Sequence, residues 1–311
     1  MIDAASKALF HTLAQIDVLQ RLASRYGMAK ETSFARRFIA GESIEEAVEA
    51  VKRIEARGLL LTLDYLGESV ATFEEADQAT REYRRILDVI VQSGIERNVS
   101  LKLTQLGLDV DRATCVDNLR RILEPAAEHG FFVRIDMENS SYTDVTLQVF
   151  ETLWTHGYTS MGVVIQSCLH RSDEDLARVM RLGARVRLVK GAYKEPATVA
   201  WQRKSDVDQA FVRQMQTLLD GGVYPAIATH DTAIIDRTKA YAASKGYARD
   251  RFEFQMLYGI RRDLQTTLAK DGYRVRVYVP YGRQWFPYFM RRLGERPANV
   301  AFVLKGIFNE G

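Results

Sequence analysis

Short apolar segments alternate along this chain with longer segments of helical periodicity. There are eight short segments, rich in β-branched and aromatic residues: LLLTLDY from Leu59, SLKLTQL from Ser100, FFVRIDM from Phe131, GVVIQ from Gly162, RVRLVKGAY from Arg185, YPAIATH from Tyr224, FEFQML from Phe252 and RVRVYVPY from Arg274. Near-continuous apolar runs of this kind are typical of parallel strands that are buried on both faces. The pattern therefore predicts a sheet of parallel strands.

The intervening segments carry apolar residues at helical spacing, and several end in glycine, as helix C-termini commonly do. Examples are ATCVDNLRRILEPAAEHG, DVTLQVFETLWTHG and VDQAFVRQMQTLLDGG. Two more helical segments, LFHTLAQIDVLQRLASRYG and SIEEAVEAVKRIEARG, precede the first strand. We expect these two to pack outside the sheet.

The repeated strand-helix unit predicts an α/β protein with a closed (β/α)8 barrel of the TIM type and extra N-terminal helices. The rival architecture is a doubly wound open sheet. It is disfavoured because the chain contains neither a GxG turn nor a Walker A glycine-lysine pair. We predict one catalytic domain over residues 1–311, with a helical arm at 1–58 and the barrel at 59–311.

Composition narrows the class of protein. The chain has 311 residues, is 47% hydrophobic, and carries 43 basic and 40 acidic residues that are dispersed along it. Such a chain can bury a large core, and the absence of a basic stripe argues against nucleic-acid binding. Two cysteines, Cys115 and Cys168, without a signal-like N-terminus fit free thiols in a reducing cytoplasm. The apolar runs are too short to span a bilayer, which leaves surface association open.

Polar residues gather late in the predicted strands. They are Lys102, Asp136, Glu138, Gln166, Arg187, Lys190, Thr229, His230, Asp231, Gln255 and Tyr278. Any one of them could be a strand-end charge or a barrel-layer ion pair, but together they indicate a site, because barrel enzymes place their chemistry at the C-terminal mouth. A mouth rich in cations and amide donors suits a large polyanionic cofactor and a small carboxylate substrate.

Two adjacent arginines, Arg291 and Arg292, lie in the apolar and aromatic segment YVPYGRQWFPYFMRRL. A guanidinium stays charged and its planar fork matches a carboxylate or phosphate, so the pair indicates an anion site. The alternative is that one arginine caps a helix end while the other reaches water.

The segment from Tyr278 to Arg296 resembles the C-terminal signature of proline dehydrogenases, in which a tyrosine-proline strand end is followed by a helix bearing YxxRRxxE. SLKLTQLG, RIDME, GVVIQ, VRLVKGAY, IATHD and FEFQML are similar to further blocks of that family, in the family's order. The resemblance covers most of residues 59–308. It implies a distorted (β/α)8 barrel that holds noncovalent FAD and oxidises L-proline to Δ1-pyrroline-5-carboxylate, with hydride passing to the flavin N5.

The resemblance also implies roles for individual residues. Arg291 and Arg292, on a substrate-clamp helix after the eighth strand, and Lys102 would bind the proline carboxylate. Asp136 and Arg187 would be catalytic, with Arg187 near the flavin N5. The remaining substrate-binding positions are Leu257, Tyr278, Tyr288 and Glu295. The positions expected to contact FAD are Met137, Gln166, Arg187, Lys190, Gly191, Ala192, Tyr193, Thr229, His230 and Gln255.

Some assignments stay open at this stage. Glu295 could orient Arg292 or face the substrate amine, and either Glu295 or solvent could take the amine proton. Asp136 could instead be held by Lys102 or Tyr278. Lys102 and Lys190 could each form a Schiff base, which makes a barrel lyase or aldolase the leading rival, and a non-catalytic carboxylate-binding barrel is the third reading. Cys168 and His170 lack a partner cluster, so we predict no metal site.

The expected partners follow from the resemblance. The chain has no room for the second, aldehyde-oxidising domain of bifunctional relatives, so a separate pyrroline-5-carboxylate dehydrogenase would take the product. The resemblance suggests a membrane quinone as electron acceptor. The phenol of Tyr288 would crowd a hydroxylated ring and so favours proline over 4-hydroxyproline. We expect a cytoplasmic protein, and only the resemblance suggests peripheral association with the inner face of the cell membrane.

Overall fold

Eight parallel strands close into a barrel in which each strand pairs with its neighbours in chain order. The computed structural model describes Met28 and residues 33–295, apart from the side chains of residues 34 and 293–295. The strands are β1 (Leu60–Tyr65), β2 (Asn98–Leu101), β3 (Phe132–Ile135), β4 (Met161–Gln166), β5 (Arg185–Val189), β6 (Ala226–Ala228), β7 (Glu253–Leu257) and β8 (Arg274–Tyr281). The predicted (β/α)8 barrel is confirmed.

The described helices alternate with the strands. They are α1 (Ile44–Glu55), α2 (Phe73–Ser93), α3 (Arg112–Glu128), α4 (Thr143–Thr155), α5 (Ser172–Arg181), α6 (Lys204–Gly221), α7 (Thr232–Ser244), α8 (Arg262–Lys270) and α9 (Trp285–Glu295). Short 3-10 turns occupy Phe34–Arg37, Thr104–Leu106 and Ser140–Tyr142. In this part of the chain, no helix combines the length and apolar character needed to cross a bilayer.

Pairing between the first and last strands closes the barrel. The register runs from Leu60 opposite Arg276 to Tyr65 opposite Tyr281. Because each of the eight described strands then has two neighbours and this sheet has no edge strand, the open doubly wound sheet is excluded. The main hydrophobic core contains residues from every strand and from α1 to α8. Each large aliphatic side chain that it buries stabilises the fold by about 1.5–3 kcal/mol.

Local sequence signals define the helices. Thr72 and Glu75 form a capping box at the start of α2, and Gly94 ends that helix at a φ of 70°. These contacts satisfy backbone groups that a helix terminus otherwise leaves without partners. The stripe of α2 that faces the barrel includes Tyr83, Ile86 and Ile90. The helical periodicity read from the sequence therefore reflects burial against the strands.

Several strands end earlier than the apolar runs predict. The run SLKLTQL predicts a strand to Leu106, but β2 ends at Leu101 and residues 104–106 form a 3-10 turn. The reason is a competing hydrogen bond: the amide of Thr104 donates to Glu138 Oε1 at 3.2 Å. Likewise only Ala226–Ala228 of the run YPAIATH is a strand. The truncated ends become the loops of the barrel mouth.

The predicted helix in SIEEAVEAVKRIEARG is confirmed as α1. Ser43 caps it by accepting from the amide of Glu46, and its buried face includes Ile44, Val48 and Val51. The helix packs against β1, β8 and α2, outside the barrel as expected. The other predicted N-terminal helix, LFHTLAQIDVLQRLASRYG, lies outside the described residues.

The chain between Ser33 and Glu42 contacts α9. Phe38 and Ile39 join a second hydrophobic cluster with Trp285 and Phe289 of that helix. The indole Nε1 of Trp285 donates to Glu42 Oε1 at 3.0 Å. Backbone hydrogen bonds of 2.9 Å from Ala40 to Pro280 and of 3.0 Å from Gly282 to Gly41 tie the same segment to the end of β8. The N-terminal segment therefore supports the helix that carries the arginine pair.

Candidate active site

A cavity of about 740 Å³ lies at the C-terminal ends of the strands, and we call it the mouth cavity. Its volume falls in the range of about 300–1,000 Å³ that is usual for ligand pockets. The predicted site residues that line it are Lys102, Asp136, Met137, Gln166, Arg187, Lys190, Gly191, Ala192, Tyr193, Thr229, His230, Gln255, Leu257, Tyr278, Tyr288, Arg291 and Arg292. The structure thus brings all but one of the predicted positions together. The exception is Glu295, the last residue of α9, whose side chain lies outside the described residues.

Asp136 is the centre of a buried polar network. Its Oδ1 accepts from Arg187 Nη1 at 2.6 Å and its Oδ2 accepts from the Tyr278 phenol at 2.7 Å. Arg187 Nη2 also donates to Ser100 Oγ at 3.0 Å, and the guanidinium carbon lies 5.3 Å from the Tyr278 ring centre. Of the partners considered from the sequence, Tyr278 and not Lys102 holds Asp136. The arrangement fixes Arg187 as a cation at the floor of the cavity.

Tyr278 is kept protonated in this network. Burial raises the pKa of its phenol well above the ordinary range, and the carboxylates of Asp136 and Asp64 raise it further. A protonated phenol can donate to Asp136 and cannot serve as a base near neutral pH.

Lys102 follows β2 and pairs with a fully buried carboxylate. Its Nζ donates to Asp64 Oδ1 at 3.2 Å. Burial opposes the Lys102 charge, but the carboxylates of Asp64 and Asp136 outweigh it and raise the pKa of the ammonium. Lys102 is therefore a fixed cation. A Schiff-base nucleophile must be a neutral amine, so this environment argues against the lyase reading.

The two arginines of α9 have different surroundings. Arg292 is buried, and its guanidinium carbon lies 5.0 Å from the Tyr288 ring centre. Arg291 is half-buried, and its Nη1 donates to Glu68 Oε1 at 3.1 Å. Burial opposes the Arg291 charge, yet Glu68 leaves the pKa of that guanidinium raised. Both side chains line the cavity, so neither behaves as the solvent-exposed helix-end charge of the alternative reading.

A second charged group lines the cavity at the ends of β5 and β6. Lys190 Nζ lies 2.8 Å from Asp231 Oδ2 and 2.6 Å from Asp208 Oδ1. The hydrogen bond from Lys190 lowers the pKa of Asp231 to about 2. An ammonium held by two carboxylates is a poor candidate for a Schiff base.

Hydrogen bonds anchor the uncharged polar residues of the cavity. Gln166 Nε2 donates to the carbonyl of Glu138 at 2.8 Å. His230 Nε2 accepts from the amide of Leu257 at 2.9 Å, which assigns the lone pair to that nitrogen. The imidazole is thus fixed in one tautomer and its Nε2 is not available as a general base.

Two loops meet closely at Gly191. Its φ is 108°, and a Cβ at this position would lie 2.3 Å from Cys168 Sγ. Burial raises the pKa of the Cys168 thiol to about 11. The nearby His170 makes an edge contact with Trp201, at a ring separation of 4.5 Å. Glycine is therefore required where the loop after β5 passes the loop after β4.

The sequence analysis missed Asp64, Glu68 and Ser100, which support residues of the site, and the lining cations Lys204 and Arg261. Asp64 is the only ionisable residue before the final tyrosine of the run LLLTLDY, and an acid in a buried strand is a signal that could have been used. Glu68 and Ser100 offer no such signal. Their roles depend on partners far away along the chain.

Comparisons with known proteins agree with the geometry. The family model described as proline dehydrogenase matches residues 47–305. Proline dehydrogenase 1 of Bacillus subtilis (strain 168) is 45% identical over 302 residues, which cover 97% of this chain and 99% of the relative. Proline dehydrogenase of Deinococcus radiodurans is 43% identical over 311 residues, which cover 99% of each chain.

A solved structure shares the fold. Proline utilization A from Bdellovibrio bacteriovorus, inactivated by N-propargylglycine, superimposes with a TM-score of 0.79 at 29% identity. The match covers 84% of this chain but only 32% of that longer one. The family match spans most of the barrel, and the relatives align from end to end. The chain therefore belongs to the proline dehydrogenase family of oxidoreductases.

Proposed function

We propose that the mouth cavity binds L-proline through its carboxylate, beside noncovalently bound FAD, and that the product is Δ1-pyrroline-5-carboxylate. Membership of the proline dehydrogenase family supports proline oxidation. One observation supports the proposed binding of proline beside FAD. Lys102, Arg291 and Arg292 line the same cavity as the hydrogen-bonded network of Asp136, Arg187 and Tyr278. Three cations suit a carboxylate, and the network presents a fixed cation beside it.

The residues around the cavity fit a flavin. The buried Nε of Arg187, a residue that lines the cavity, has no hydrogen-bond acceptor among the described residues. Lys190 adds a cation for a phosphate group. The residues that would hold FAD are Met137, Gln166, Arg187, Lys190, Gly191, Ala192, Tyr193, Thr229, His230 and Gln255. When bound, FAD supplies an acceptor at N5 for the hydride that leaves the carbon beside the proline nitrogen.

The protein's own residues would orient the substrate. Arg292 can bind a carboxylate with two parallel hydrogen bonds, whereas Lys102 offers a point charge. Leu257, Tyr278 and Tyr288 provide apolar surface for the pyrrolidine ring. Holding the ring against the cofactor lowers the barrier because the reacting atoms no longer have to find each other.

Arg187 would stabilise the negative charge that develops during oxidation. Its guanidinium is fixed by Asp136 and Ser100, so little reorganisation is needed when the charge appears. We assign Asp136 the task of keeping this cation in place.

Electrons and product must both leave the site. We propose a membrane quinone as the electron acceptor and a separate pyrroline-5-carboxylate dehydrogenase as the consumer of the product. The second suggestion is supported by a relative named bifunctional protein PutA from Escherichia coli, of which this chain matches 23% at 28% identity. We further propose that residues 1–311 form one catalytic domain.

The purified protein tests the proposal by its absorbance. It should be yellow, and its flavin spectrum should bleach when proline is added without oxygen. An Arg292→Met variant should keep the colour and need much more proline for the same bleaching. A colourless protein that borohydride traps with a carbonyl substrate would instead support the lyase, and a flavin spectrum unchanged by proline would overturn the assigned substrate.

A further inference from the structure

Asp64 lies directly behind Lys102, one layer below the mouth cavity. It belongs to β1, where it is paired with Ser100 of β2 and Pro280 of β8, and its side chain is fully buried. Lys102 lines the cavity, whereas Asp64 does not. The contact between the two is the 3.2 Å hydrogen bond from Nζ to Oδ1. Asp64 therefore acts on the cavity mainly through Lys102, with a smaller electrostatic influence on Tyr278.

The other carboxylates near Lys102 are engaged elsewhere. Asp136 accepts from Arg187 and Tyr278, Glu138 accepts from Thr104, and Glu68 accepts from Arg291. The remaining oxygen of Asp64, Oδ2, is buried with no hydrogen-bond partner in the described part of the protein. Asp64 is thus the carboxylate dedicated to Lys102.

A buried ion pair at this place has no advantage for stability alone. Removing two charges from water costs several kcal/mol, and apolar side chains of similar volume often stabilise a core as well or better. A role in the neighbouring cavity would explain why a charged pair occupies the position.

We propose that Asp64 is a positioning residue for substrate binding, which holds the Lys102 ammonium at the inner wall of the cavity as a third cation for the carboxylate bound by Arg291 and Arg292. This inference rests on the proposed function. Without Asp64, the ammonium would keep only weaker partners, and burial would favour its neutral form.

The electrostatics of the site support this role. Burial is the main cause that raises the pKa of Asp64, and Lys102 opposes it. Of the anions that raise the pKa of Lys102, Asp64 has the largest influence, followed by Asp136. The titratable groups that face Lys102 or Asp64 are Glu68, Tyr83, Asp136, Glu138, Tyr193, Tyr278 and Tyr281.

The decisive variant is Asp64→Asn, which keeps the shape and removes the charge. Its KM for proline should be higher than that of the wild type. The ratio of the two KM values should increase about tenfold between roughly pH 6 and pH 9, because Lys102 loses its proton over this range in the variant. Lys102→Met should show a raised KM with a constant ratio to the wild type. The double variant should have nearly the same KM as Lys102→Met, because Asp64 acts mainly through Lys102. Flavin content should be the same in all three.

Other outcomes distinguish failure of this inference from failure of the proposed function. Asp64→Asn could have the KM of the wild type at every pH while Lys102→Met has a raised KM. That result overturns the role of Asp64 and leaves the proposed function intact. An unimpaired Lys102→Met removes Lys102 from the site and this inference with it. A wild-type protein whose flavin does not respond to proline overturns the proposed function.

A measurement on the wild-type holoenzyme covers the case in which Asp64→Asn does not fold. Lysines can be methylated by formaldehyde and cyanoborohydride, and peptide mass spectrometry reports each site separately. The methylation rate of Lys102 should rise only at a pH above the ordinary lysine pKa of about 10.4. A midpoint for Lys102 at or below that value would overturn the inference, since it would show an ammonium that Asp64 does not protect.

Discussion

Arg187 and Asp136 form a buried ion pair at the floor of the barrel mouth, with Nη1 and Oδ1 2.6 Å apart. Asp136, directly after β3, is therefore one half of an ion pair with Arg187 of β5 and not a free acid. Hydrogen bonds to charged groups are worth about 1.5–3 kcal/mol, so loss of the pair should affect the step in which we propose that Arg187 stabilises charge.

The corresponding prediction concerns Asp136→Asn. We expect kcat to fall by roughly tenfold or more, while the proline KM changes much less, because Asp136 fixes Arg187 and does not bind the carboxylate. Rapid-mixing measurement of anaerobic flavin reduction checks this. Asp271→Asn removes a partly exposed partner of Lys239 and should react like the wild type. Unchanged flavin reduction in Asp136→Asn would exclude the assigned role.

The two arginines of α9 should contribute unequally. Arg292 is buried, whereas Arg291 is half-buried and already paired with Glu68. Arg292→Met should therefore raise the proline KM by roughly thirtyfold, and Arg291→Met by less, because a bond from a desolvated cation is stronger. Steady-state kinetics with flavin content measured in parallel tests this order. Loss of flavin with unchanged proline affinity in Arg292→Met would contradict it.

Tyr288 should determine which ring the cavity accepts. Its side chain is buried and lies against Arg292. Tyr288→Ser opens space for a ring hydroxyl but removes contacts with proline. The kcat/KM for proline should therefore fall, and the ratio of kcat/KM for 4-hydroxyproline to kcat/KM for proline should rise. A ratio of the two kcat/KM values equal to that of the wild type would show that Tyr288 does not select the substrate.

Gly191 should be required for cofactor binding. Gly191→Ala would place a Cβ against Cys168 Sγ, at a backbone φ of 108°. We expect lower flavin occupancy, with partial recovery in Gly191→Ala combined with Cys168→Ala, which removes the sulfur. Gly130→Ala is the matched control, since its φ is also positive, at 68°, but an added Cβ would meet no atom within 4 Å. Equal flavin content in both glycine variants would argue against a steric requirement.

The pair of Lys190 and Asp231 should make a small contribution to stability that depends on pH. The pKa of Asp231 is lowered from 3.8 to about 2 by the hydrogen bond from Lys190. A lowered pKa in the folded state stabilises the protein above the unfolded value, and this is lost as the pH falls from about 4 towards 2. About 25% of the side-chain surface remains accessible to water, which weakens the interaction, so we expect less than about 1 kcal/mol.

Urea unfolding of the wild type and Asp231→Asn measures this contribution. The wild type should have the higher free energy of unfolding at about pH 5.5, and the difference should shrink towards about pH 3 and in high salt. A difference that stays constant over this range would mean that the charge of Asp231 is not responsible.

The barrel and most of its mouth could be predicted because their signals are local. Buried parallel strands leave apolar runs, and a cation or amide at the end of such a run, such as Lys102 or Gln166, must lie at the C-terminal mouth. The apolar surroundings of Arg291 and Arg292 likewise predicted a binding site, and both residues line the cavity. These features need no knowledge of which strands are neighbours.

The pairings inside the site could not be predicted because they depend on barrel closure. Asp64 meets Lys102 across 38 residues of sequence, and Glu68 meets Arg291 across 223 residues. Only the register between β1 and its two neighbours brings such groups within hydrogen-bond distance. The early end of β2 has a similar origin, since the carboxylate of Glu138 on another strand end takes the amide of Thr104.

The contact between Glu42 and Trp285 joins residues 243 positions apart in sequence, which affects the order in which the protein folds. Contacts this far apart in sequence form late, because the entropy of closing so long a loop must be overcome first. On the ribosome, β1 to β7 can begin to assemble while α9 is still missing. Arg291 and Arg292 can reach their positions only when both ends of the barrel have met. If they bind the substrate as proposed, competence to bind it reports completed folding rather than an early intermediate.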